Sequence, residues 1–249
     1  MSRVVVITGG AQGIGLACCE KFSKLGDRVA IIDLQVTEPT REGAWVFATQ
    51  ADISDGKSVE AALAAVVAKL GTISVLVNNA ARASQTFFQD ITEEQWDRDL
   101  AVCLKGNFLT TKIVAPMMAA NGGGAIVNIS SINGSLFFGQ EAYSAAKAGV
   151  ESLTRSIAVR YGPKQVRCNA VAPGTIHTAV WDERIAKNPQ TMQRLSEWYP
   201  LGRVGKPEDI ASAVAFLSSS EAGWISGITL RVDGGLLAGN HPLANAVNF

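Results

Sequence analysis

The chain opens with MSRVVVITGGAQGIG, in which a β-branched run passes directly into a cluster of glycines. Residues 4–7 lack polar alternation, which is typical of a parallel strand that is covered on both faces. Only glycine lets a backbone turn sharply and approach a bulky group without a Cβ clash. The segment therefore predicts a central strand, a tight turn and a helix whose free N–H groups face an anion such as a phosphate.

Strand-like and helix-like stretches alternate along the rest of the chain. Further strands are predicted at 28–33, 44–52, 73–80, 125–131, 165–174 and 228–235, and helices at 14–25, 58–70, 92–120, 142–161 and 207–218. Strands that alternate with helices of this length require crossover connections and a parallel sheet. We expect one α/β domain over residues 1–249, a Rossmann-type doubly wound parallel sheet of about seven strands with helices on both faces.

Composition limits the classes of function. Of the 249 residues, 47% are hydrophobic, which is enough to form a sizeable core. Lys+Arg and Asp+Glu both number 22, and no long basic run offers a nucleic-acid-binding surface. No apolar stretch reaches the roughly 20 residues that cross a bilayer, and the histidines and cysteines lack metal-ligand spacing. We expect a cytoplasmic protein that acts on a small molecule, without a metal, a nucleic acid or a membrane as partner.

An acidic residue at the end of the second predicted strand bears on the type of nucleotide. Asp33 lies 18 positions after Gly15, where a carboxylate can accept hydrogen bonds from both ribose hydroxyls of an adenosine and repels a 2′-phosphate. The Asp33 carboxylate therefore favours NAD over NADP. The glycine spacing is not the commonest GxGxxG, so a glycine turn without a ligand and an aspartate that merely ends a strand remain alternatives.

Tyr143 and Lys147 lie four positions apart in AYSAAKAG, so they project from one face of a predicted helix. An ammonium beside a phenol stabilises the phenolate, which a tyrosine needs in order to act as a general base. The pair follows a strand that ends in Ser130 and Ser131, at the edge of the sheet where ligands bind. YxxxK also arises by chance as an ordinary exposed pair, and it is the position of this one that indicates a catalytic site.

Five elements in this order resemble the short-chain dehydrogenase/reductase family over nearly the whole chain. They are TGGAQGIG at 8–15, NNAA at 78–81, SSING followed by YSAAK, APGTIHT at 172–178 and VDGG at 232–235. The resemblance implies hydride transfer between NAD(H) and a secondary alcohol or ketone, with Tyr143 as acid/base, Lys147 beside it and a serine on the substrate oxygen. Ser131 fits the family's S-x-x-G pattern and is favoured, with a one-residue deletion before the tyrosine, whereas the family's usual spacing to the tyrosine would select Ser130.

The resemblance also implies a cofactor site along the carboxyl ends of the strands. The residues so assigned are Gly9, Gln12, Gly13, Ile14 and Gly15 for the pyrophosphate turn, Asp33 and Leu34 for the adenine ribose, Asp52 and Ile53 for the adenine, and Asn78, Asn79, Ala80, Ala81, Tyr143, Lys147, Pro173, Gly174, Ile176 and Thr178 for the rest of NAD. It further implies a homotetramer, for which the apolar tail GGLLAGNHPLANAVNF suits a subunit contact. The alternative is a tail that folds back on its own subunit.

Two residues depart from the family pattern. Ala81 stands where the family has glycine, which is tolerated if its φ is negative. Cys103 stands where the family has an asparagine that holds a water in the proton relay, so this water should be missing or held by other groups such as the main chain. Asn107 lies on the same helix but matches a variable position and is not given that role. Cys103 keeps open a second class of function, a cofactor-binding sensor or scaffold with little turnover.

Residues around the expected point of hydride transfer indicate the substrate class. Residues 175–200 are predicted to be irregular and, by the resemblance, to form a mobile substrate lid, although its aromatics could equally be core anchors. The flanking loop positions are Arg82, Asn133, Phe137, Phe138 and Gln140. Their mixture of polar and apolar character favours a small polar secondary alcohol, such as a sugar, a polyol or a hydroxy acid, over a steroid.

Overall fold

The computed structural model describes residues 2–36, 43–84 and 86–247. Its strands are β1 (Val4–Thr8), β2 (Arg28–Asp33), β3 (Phe47–Gln50), β4 (Val75–Asn78), β5 (Gly124–Ile129), β6 (Val166–Pro173) and β7 (Thr229–Val232). They form one sheet in the order β3-β2-β1-β4-β5-β6-β7, and every neighbouring pair is parallel. The strand order reverses between β1 and β4, and sheets of this type bind ligands beyond the carboxyl ends of the strands at such a point.

Helices connect the strands and cover both faces of the sheet. They are α1 (Gly13–Lys24), α2 (Gly56–Leu70), α3 (Glu93–Leu100), α4 (Gly106–Ala120), α5 (Glu141–Tyr161), α6 (Asp182–Lys187), α7 (Thr191–Ser196), α8 (Pro207–Leu217) and α9 (His241–Val247). None of these helices is long and apolar enough to cross a membrane. The predicted fold class, a doubly wound parallel sheet with helices on both faces, is confirmed.

The sheet has an apolar core on each side. Side chains alternate across a strand, so Val5 of β1 packs with Phe22 of α1, whereas its neighbour Val6 faces the other side. On that second side Val6 lies in one cluster with Leu63 of α2 and Met118 of α4. All five residues of β1 are buried. The unbroken β-branched run at the start of the chain follows from this burial on both faces, because no position of β1 meets water.

The third strand is shorter than the predicted range 44–52 and covers only Phe47–Gln50. Ala44 and Trp45 are buried in the core on the α1 side, but they precede the strand. An apolar sequence pattern indicates that residues are buried, but not that they belong to a strand. Ala44 and Trp45 are buried in the segment that precedes β3. The prediction was therefore wrong at both ends of this strand.

The helix predicted over 92–120 is two helices, α3 and α4, joined by a π-helical turn at Ala101–Lys105. In this turn the Gly106 N–H bonds to the Ala101 carbonyl, five residues back instead of four. A π-helical turn adds one residue to the helical repeat and is frequent at functional sites. Cys103 is at its centre and is fully buried.

Residues 175–200 were predicted to be irregular, and this was wrong in part. The segment contains α6 and α7, each of six residues, after a short 3₁₀ turn at Ala179–Trp181. Helices this short have little amphipathic signal, which is why the sequence pattern does not reveal them.

Candidate active site

A cleft of about 910 Å³ follows the carboxyl edge of the sheet from the glycine turn to the first half of α5. The predicted site residues that line it are Gly9, Gln12, Gly13, Ile14, Asp33, Leu34, Asp52, Ile53, Asn79, Ala80, Ala81, Ser131, Tyr143, Lys147, Pro173, Gly174, Ile176 and Thr178. Two predicted members, Gly15 and Asn78, are not among its lining residues. Within the described ranges, no group of three or more His, Cys, Asp or Glu side chains is arranged to hold a metal ion.

The glycine turn contains two kinds of glycine. Gly9 and Gly13 have φ of +65° and +56°, a left-handed conformation that L side chains rarely adopt. Gly15 is different, because a Cβ there would overlap the Gly9 carbonyl oxygen and lie 2.7 Å from the Asn79 Nδ2. The Asn79 amide in turn donates to the carbonyls of Thr8 (3.1 Å) and Gly9 (2.8 Å). Gly15 thus serves the close packing of the turn, and its contact with a pyrophosphate stays a prediction.

We expect Gly15→Ala to destabilise the protein and to weaken cofactor binding, because the added Cβ has no space beside Gly9 and Asn79. Overpacking of this kind costs about 1–3 kcal/mol. The midpoint of urea unfolding and an NADH fluorescence titration measure the two effects. Gly162→Ala is the matched control, since Gly162 has a helical φ of −51° and no heavy atom within 4 Å of the position that an added Cβ would take. Equal midpoints and equal NADH affinities for the two variants would contradict this explanation.

Asn78 supports the site from beneath the cleft instead of lining it. Its Nδ2 donates to Asn128 Oδ1 (2.8 Å) and Thr111 Oγ1 (3.1 Å), and its Oδ1 accepts from Thr110 Oγ1 (2.7 Å). Asn128 continues the network with a hydrogen bond to Thr154 Oγ1 (2.9 Å) on α5. These side chains are all buried, so the network fixes α4 and α5 against the ends of β4 and β5. The expectation that Asn78 lines a cofactor is corrected accordingly.

Carboxylates occupy the end of the cleft near β2 and β3. Asp33 accepts hydrogen bonds from the main-chain N–H groups of Ala11 (3.1 Å) and Gln35 (3.3 Å), which hold the carboxylate beside the glycine turn. Asp52 accepts hydrogen bonds from the Ser54 hydroxyl (2.7 Å) and N–H (2.8 Å), and these lower the pKa of Asp52. Asp33 is thus a hydrogen-bond acceptor held next to the glycine turn.

At the other end of the cleft a buried ammonium lies beside a phenol. Lys147 is 1% exposed, and its Nζ donates a 2.6 Å hydrogen bond to the Ile129 carbonyl at the end of β5. The same Nζ is 5.2 Å from the centroid of the Tyr143 ring. The helical spacing of four predicted this adjacency, and the contact with β5 adds a fixed position for the charge. The Lys147 charge is therefore held close to the Tyr143 ring.

The two serines after β5 make different contacts. Ser130 Oγ donates to Glu151 Oε1 (3.0 Å) and lies 3.3 Å from the Lys147 carbonyl oxygen, both on α5. Ser131 Oγ accepts from the Asn133 N–H (3.2 Å) and donates to Asn133 Oδ1 (3.3 Å). The Ser130 hydroxyl is thus occupied by α5, and the contacts of Ser131 are local ones. This difference favours Ser131 as the serine available to a substrate.

A tight turn closes the short loop between the serines and Tyr143. Gly139 and Gln140 have consecutive positive φ values of +90° and +64°. Asn133 Nδ2 fixes the turn by donating to the Gly139 carbonyl (2.8 Å) and to Ser144 Oγ (3.1 Å). Asn133 therefore joins the Ser131 loop to the first turn of α5. The sequence does not reveal this turn, because the contacts of Asn133 depend on the folded loop.

Cys103 tethers the main chain that follows β4. Its Sγ donates to the Arg82 carbonyl (3.0 Å) and accepts from the Arg82 N–H (3.3 Å). Burial raises the pKa of the Cys103 thiol, so it stays protonated and able to donate. One helical turn later Asn107 is buried, and its Nδ2 has no hydrogen-bond partner among the residues that the structure describes. A buried amide without a protein partner is a place where ordered water is found in proteins.

Ala81 and Tyr199 answer two further questions that the sequence raised. In the described part of the chain the residues other than glycine with a positive φ are Gln140 and Gln165. The φ of Ala81 is therefore negative, which is the condition for an alanine to replace the family's glycine.

Tyr199 is 3% exposed, and its hydroxyl accepts a 2.7 Å hydrogen bond from the Thr175 N–H. Tyr199 is thus a core anchor of the 175–200 segment.

Sequence reasoning missed Thr8 at the end of β1. Its hydroxyl oxygen accepts hydrogen bonds from the N–H groups of Asn79 (3.0 Å) and Ala80 (3.1 Å) and so aligns the two strand ends. A threonine that ends a β-branched strand is common, and a partner 71 positions away leaves no local signal. The cleft-lining residues Ala11, Arg98 and Val102 were missed for the same reason.

Known proteins resemble this chain over nearly its full length. A family model described as enoyl-(acyl carrier protein) reductase matches residues 9–237. An uncharacterized oxidoreductase of Schizosaccharomyces pombe is 52% identical over 96% of this chain and 92% of its own length, and the 2-(R)-hydroxypropyl-CoM dehydrogenase of Xanthobacter autotrophicus is 37% identical over 96% and 100%. The crystal structure of a short-chain dehydrogenase/reductase family oxidoreductase from Burkholderia thailandensis superposes with a TM-score of 0.91 at 37% identity, covering 99% of this chain and 97% of that one.

Proposed function

The chain belongs to the short-chain dehydrogenase/reductase family, and from that premise we propose that it is an NAD-dependent enzyme that transfers a hydride between NAD(H) and a small, polar secondary alcohol or its ketone. The observation that carries the proposal is the pairing, within one cleft, of Tyr143 beside the buried Lys147 with Asp33 beside the glycine turn. We propose a single catalytic domain over residues 1–249, in the cytoplasm, with residues 175–200 as the substrate lid.

The residues of the cleft fit a dinucleotide. Gly9 and Gly13 in the left-handed conformation give a pyrophosphate access to the backbone at the start of α1, and Asp33 is placed to accept from the adenine ribose. Asp52 with Ile53 would border the adenine, and the segment from Pro173 to Thr178 the nicotinamide. When bound, NAD supplies the hydride acceptor, which no side chain of the cleft can provide.

Tyr143 carries the proton in this proposal. During oxidation the alcohol loses its hydroxyl proton to the Tyr143 phenolate and its carbon-bound hydrogen as a hydride, so that a C=O bond forms. Reduction reverses both transfers. The Lys147 ammonium stabilises the phenolate from within the protein, where its charge is weakly screened. The Ser131 hydroxyl holds the substrate oxygen in line with Tyr143.

A panel of sugars, polyols and hydroxy acids with NAD, followed by NADH absorbance, tests the proposal. Saturable NADH formation with at least one of them is expected. The name of the Xanthobacter relative, a dehydrogenase of a hydroxypropyl compound, supports a small secondary alcohol as substrate. The alternative of a sensor or scaffold requires NADH binding with no turnover on any alcohol or ketone. That outcome would replace the enzymatic proposal, and the relatives named as oxidoreductases and dehydrogenases give the sensor no support.

We also propose a homotetramer. Large apolar side chains are exposed on α5 (Val159, 80%), on α9 (Leu243, 58%, and Val247, 70%) and at Trp224, whose exposure is 101%. The last two residues of the apolar tail, Asn248 and Phe249, lie outside the described residues.

Light scattering at micromolar concentration should give four times the 26.2 kDa of one chain. Val159→Glu should lower this mass, because it places a charge on an apolar contact surface. A monomeric wild-type protein would reject the tetramer.

A further inference from the structure

The guanidinium of Arg82 forms an ion pair with Asp99. Its Nε lies 3.3 Å from Asp99 Oδ1, and its side chain is 46% exposed. Within the part of the chain that the structure describes, neither Nη atom of Arg82 has a hydrogen-bond partner. A guanidinium presents its donors as a planar fork that matches the two oxygens of a carboxylate or a phosphate. Both outer arms of this fork are thus available to a ligand.

Asp99 is the fixed part of this arrangement. Its side chain is 2% exposed and accepts hydrogen bonds from the Ser84 N–H (2.7 Å) and the Ser84 hydroxyl (3.1 Å). A buried carboxylate is costly unless it is paired and hydrogen-bonded, so Asp99 requires both Ser84 and Arg82. Asp99 therefore holds the start of the loop after β4 and restricts where the Arg82 side chain can go.

Arg82 lies in the same cleft as the candidate catalytic residues. It is one of the cleft-lining residues, together with Ser131, Tyr143 and Lys147. The Cys103 thiol fixes the Arg82 main chain through both its N–H and its carbonyl, and the positive charge of Lys147 acts on that thiol. The arginine is thus held at its backbone by the π-helical turn and at its Nε by Asp99. Its outer donors, which have no hydrogen-bond partner among the described residues, can meet a ligand that enters the cleft.

We propose that Arg82 binds an oxyanion of the substrate, so that the enzyme acts on a hydroxy acid and its oxo acid in preference to a neutral alcohol. The inference rests on the proposed function and narrows its substrate class. A carboxylate on the carbon chain of the substrate meets the Arg82 fork while the reacting hydroxyl meets Tyr143. A phosphate ester offers the same pair of oxygens. Asp99 is a positioning residue for Arg82 and does not touch the substrate.

Matched substrate pairs test the charge directly. We would measure kcat/KM with NAD for 2-hydroxybutyrate, 3-hydroxybutyrate and 4-hydroxypentanoate, each against its methyl ester, and for glycerol 3-phosphate against glycerol. Each pair keeps the reacting secondary hydroxyl and changes the charge. We expect an advantage of about 10- to 100-fold for the anion of at least one pair, as for a charge-assisted hydrogen bond. The pair that shows it separates a carboxylate from a phosphate.

Variants assign that advantage to the arginine. Arg82→Gln should abolish it through KM, and Arg82→Lys should retain part of it, because lysine keeps the charge but loses the fork. Arg160→Gln is the matched control, since it removes an equal charge from an exposed residue of α5 that does not line the cleft and should leave the acid-to-ester ratio unchanged. Thermal unfolding and NADH affinity of each variant show whether the fold and the cofactor site are retained.

A binding measurement removes the dependence on turnover. Butyrate should bind the wild-type enzyme–NADH complex more tightly than butyramide, and Arg82→Gln should remove the difference, as followed by NADH fluorescence. Equal binding of butyrate and butyramide, or an acid-to-ester ratio that survives Arg82→Gln, would overturn the inference. If the inference fails in this way but the enzyme still oxidises neutral alcohols with NAD, the proposed function is retained. A lower unfolding temperature of Arg82→Gln with an unchanged ratio would mean that Arg82 serves only to neutralise Asp99.

Discussion

Tyr143→Phe is expected to lower kcat by about 10²- to 10⁴-fold, the usual contribution of a positioned acid/base. The substitution removes the oxygen that carries the proton and keeps the ring that lies 5.2 Å from Lys147 Nζ. The Kd of NADH should therefore change little, because the Tyr143 ring and the neighbouring Lys147 are both kept. Stopped-flow measurement of NADH formation and a fluorescence titration give the two quantities separately.

Tyr161→Phe is the matched control for this prediction. It makes the same change on the same helix, at the last residue of α5, outside the cleft-lining residues. Its kcat should equal that of the wild type. If Tyr143→Phe kept most of its turnover, the proton would have to leave through another group, and Ser131 would be the first to test by substitution.

The wild-type enzyme should use NAD with a kcat/KM at least about 10-fold above that with NADP, because the Asp33 carboxylate accepts from the 2′-hydroxyl and repels a phosphate there. Asp33 also accepts from the Ala11 N–H in the glycine turn (3.1 Å), so one carboxylate serves cofactor choice and turn geometry together. Two variants separate these effects. Asp33→Asn removes the charge and keeps an acceptor for Ala11, whereas Asp33→Ala removes both.

Asp33→Asn should lose about 10- to 100-fold in kcat/KM with NAD, since a hydrogen bond to a charged group contributes about 1.5–3 kcal/mol. Its kcat/KM with NADP should rise, because the repulsion is gone. Asp33→Ala should in addition unfold at a lower urea concentration. Equal or better use of NADP by the wild type would show that Asp33 does not choose the cofactor.

Much of the fold follows from local sequence pattern because the inner strands of the sheet, such as β1 and β4, are buried on both faces, whereas the edge strands β3 and β7 are only partly buried. The β-branched run of β1 and the glycines after it predict a strand, a turn and a helix, and all three are present. The strand boundaries are predicted wrongly where a residue is buried but is not paired in the sheet. Trp45 is such a residue, since it is buried without belonging to a strand. The π-helical turn at Ala101–Lys105 was not predicted either, because helical spacing in a sequence does not distinguish a bond to the fifth preceding residue from one to the fourth.

The candidate site was predictable where its parts are close in sequence. Tyr143 and Lys147 are one helical turn apart, and their adjacency needs only helical geometry. The contact of Arg82 with Asp99 joins two separate elements, and nothing in either segment identifies its partner. Glycine spacing likewise indicates that something approaches the backbone but not what it is, so the role of Gly15 required the position of the Gly9 carbonyl.

The four cysteines are all free and all buried, so their reaction with a thiol reagent reports when the chain around each of them opens. Burial raises the pKa of Cys18 and of Cys168 to about 12, so neither offers a thiolate to an alkylating reagent in the folded protein. Cys18 lies in the core on the α1 side and Cys168 in the core on the other side, whereas Cys103 lies in the π-helical turn at the cleft. Iodoacetamide labelling followed by mass spectrometry would therefore time global unfolding at Cys18 and Cys168 and local opening of the π-helical turn at Cys103.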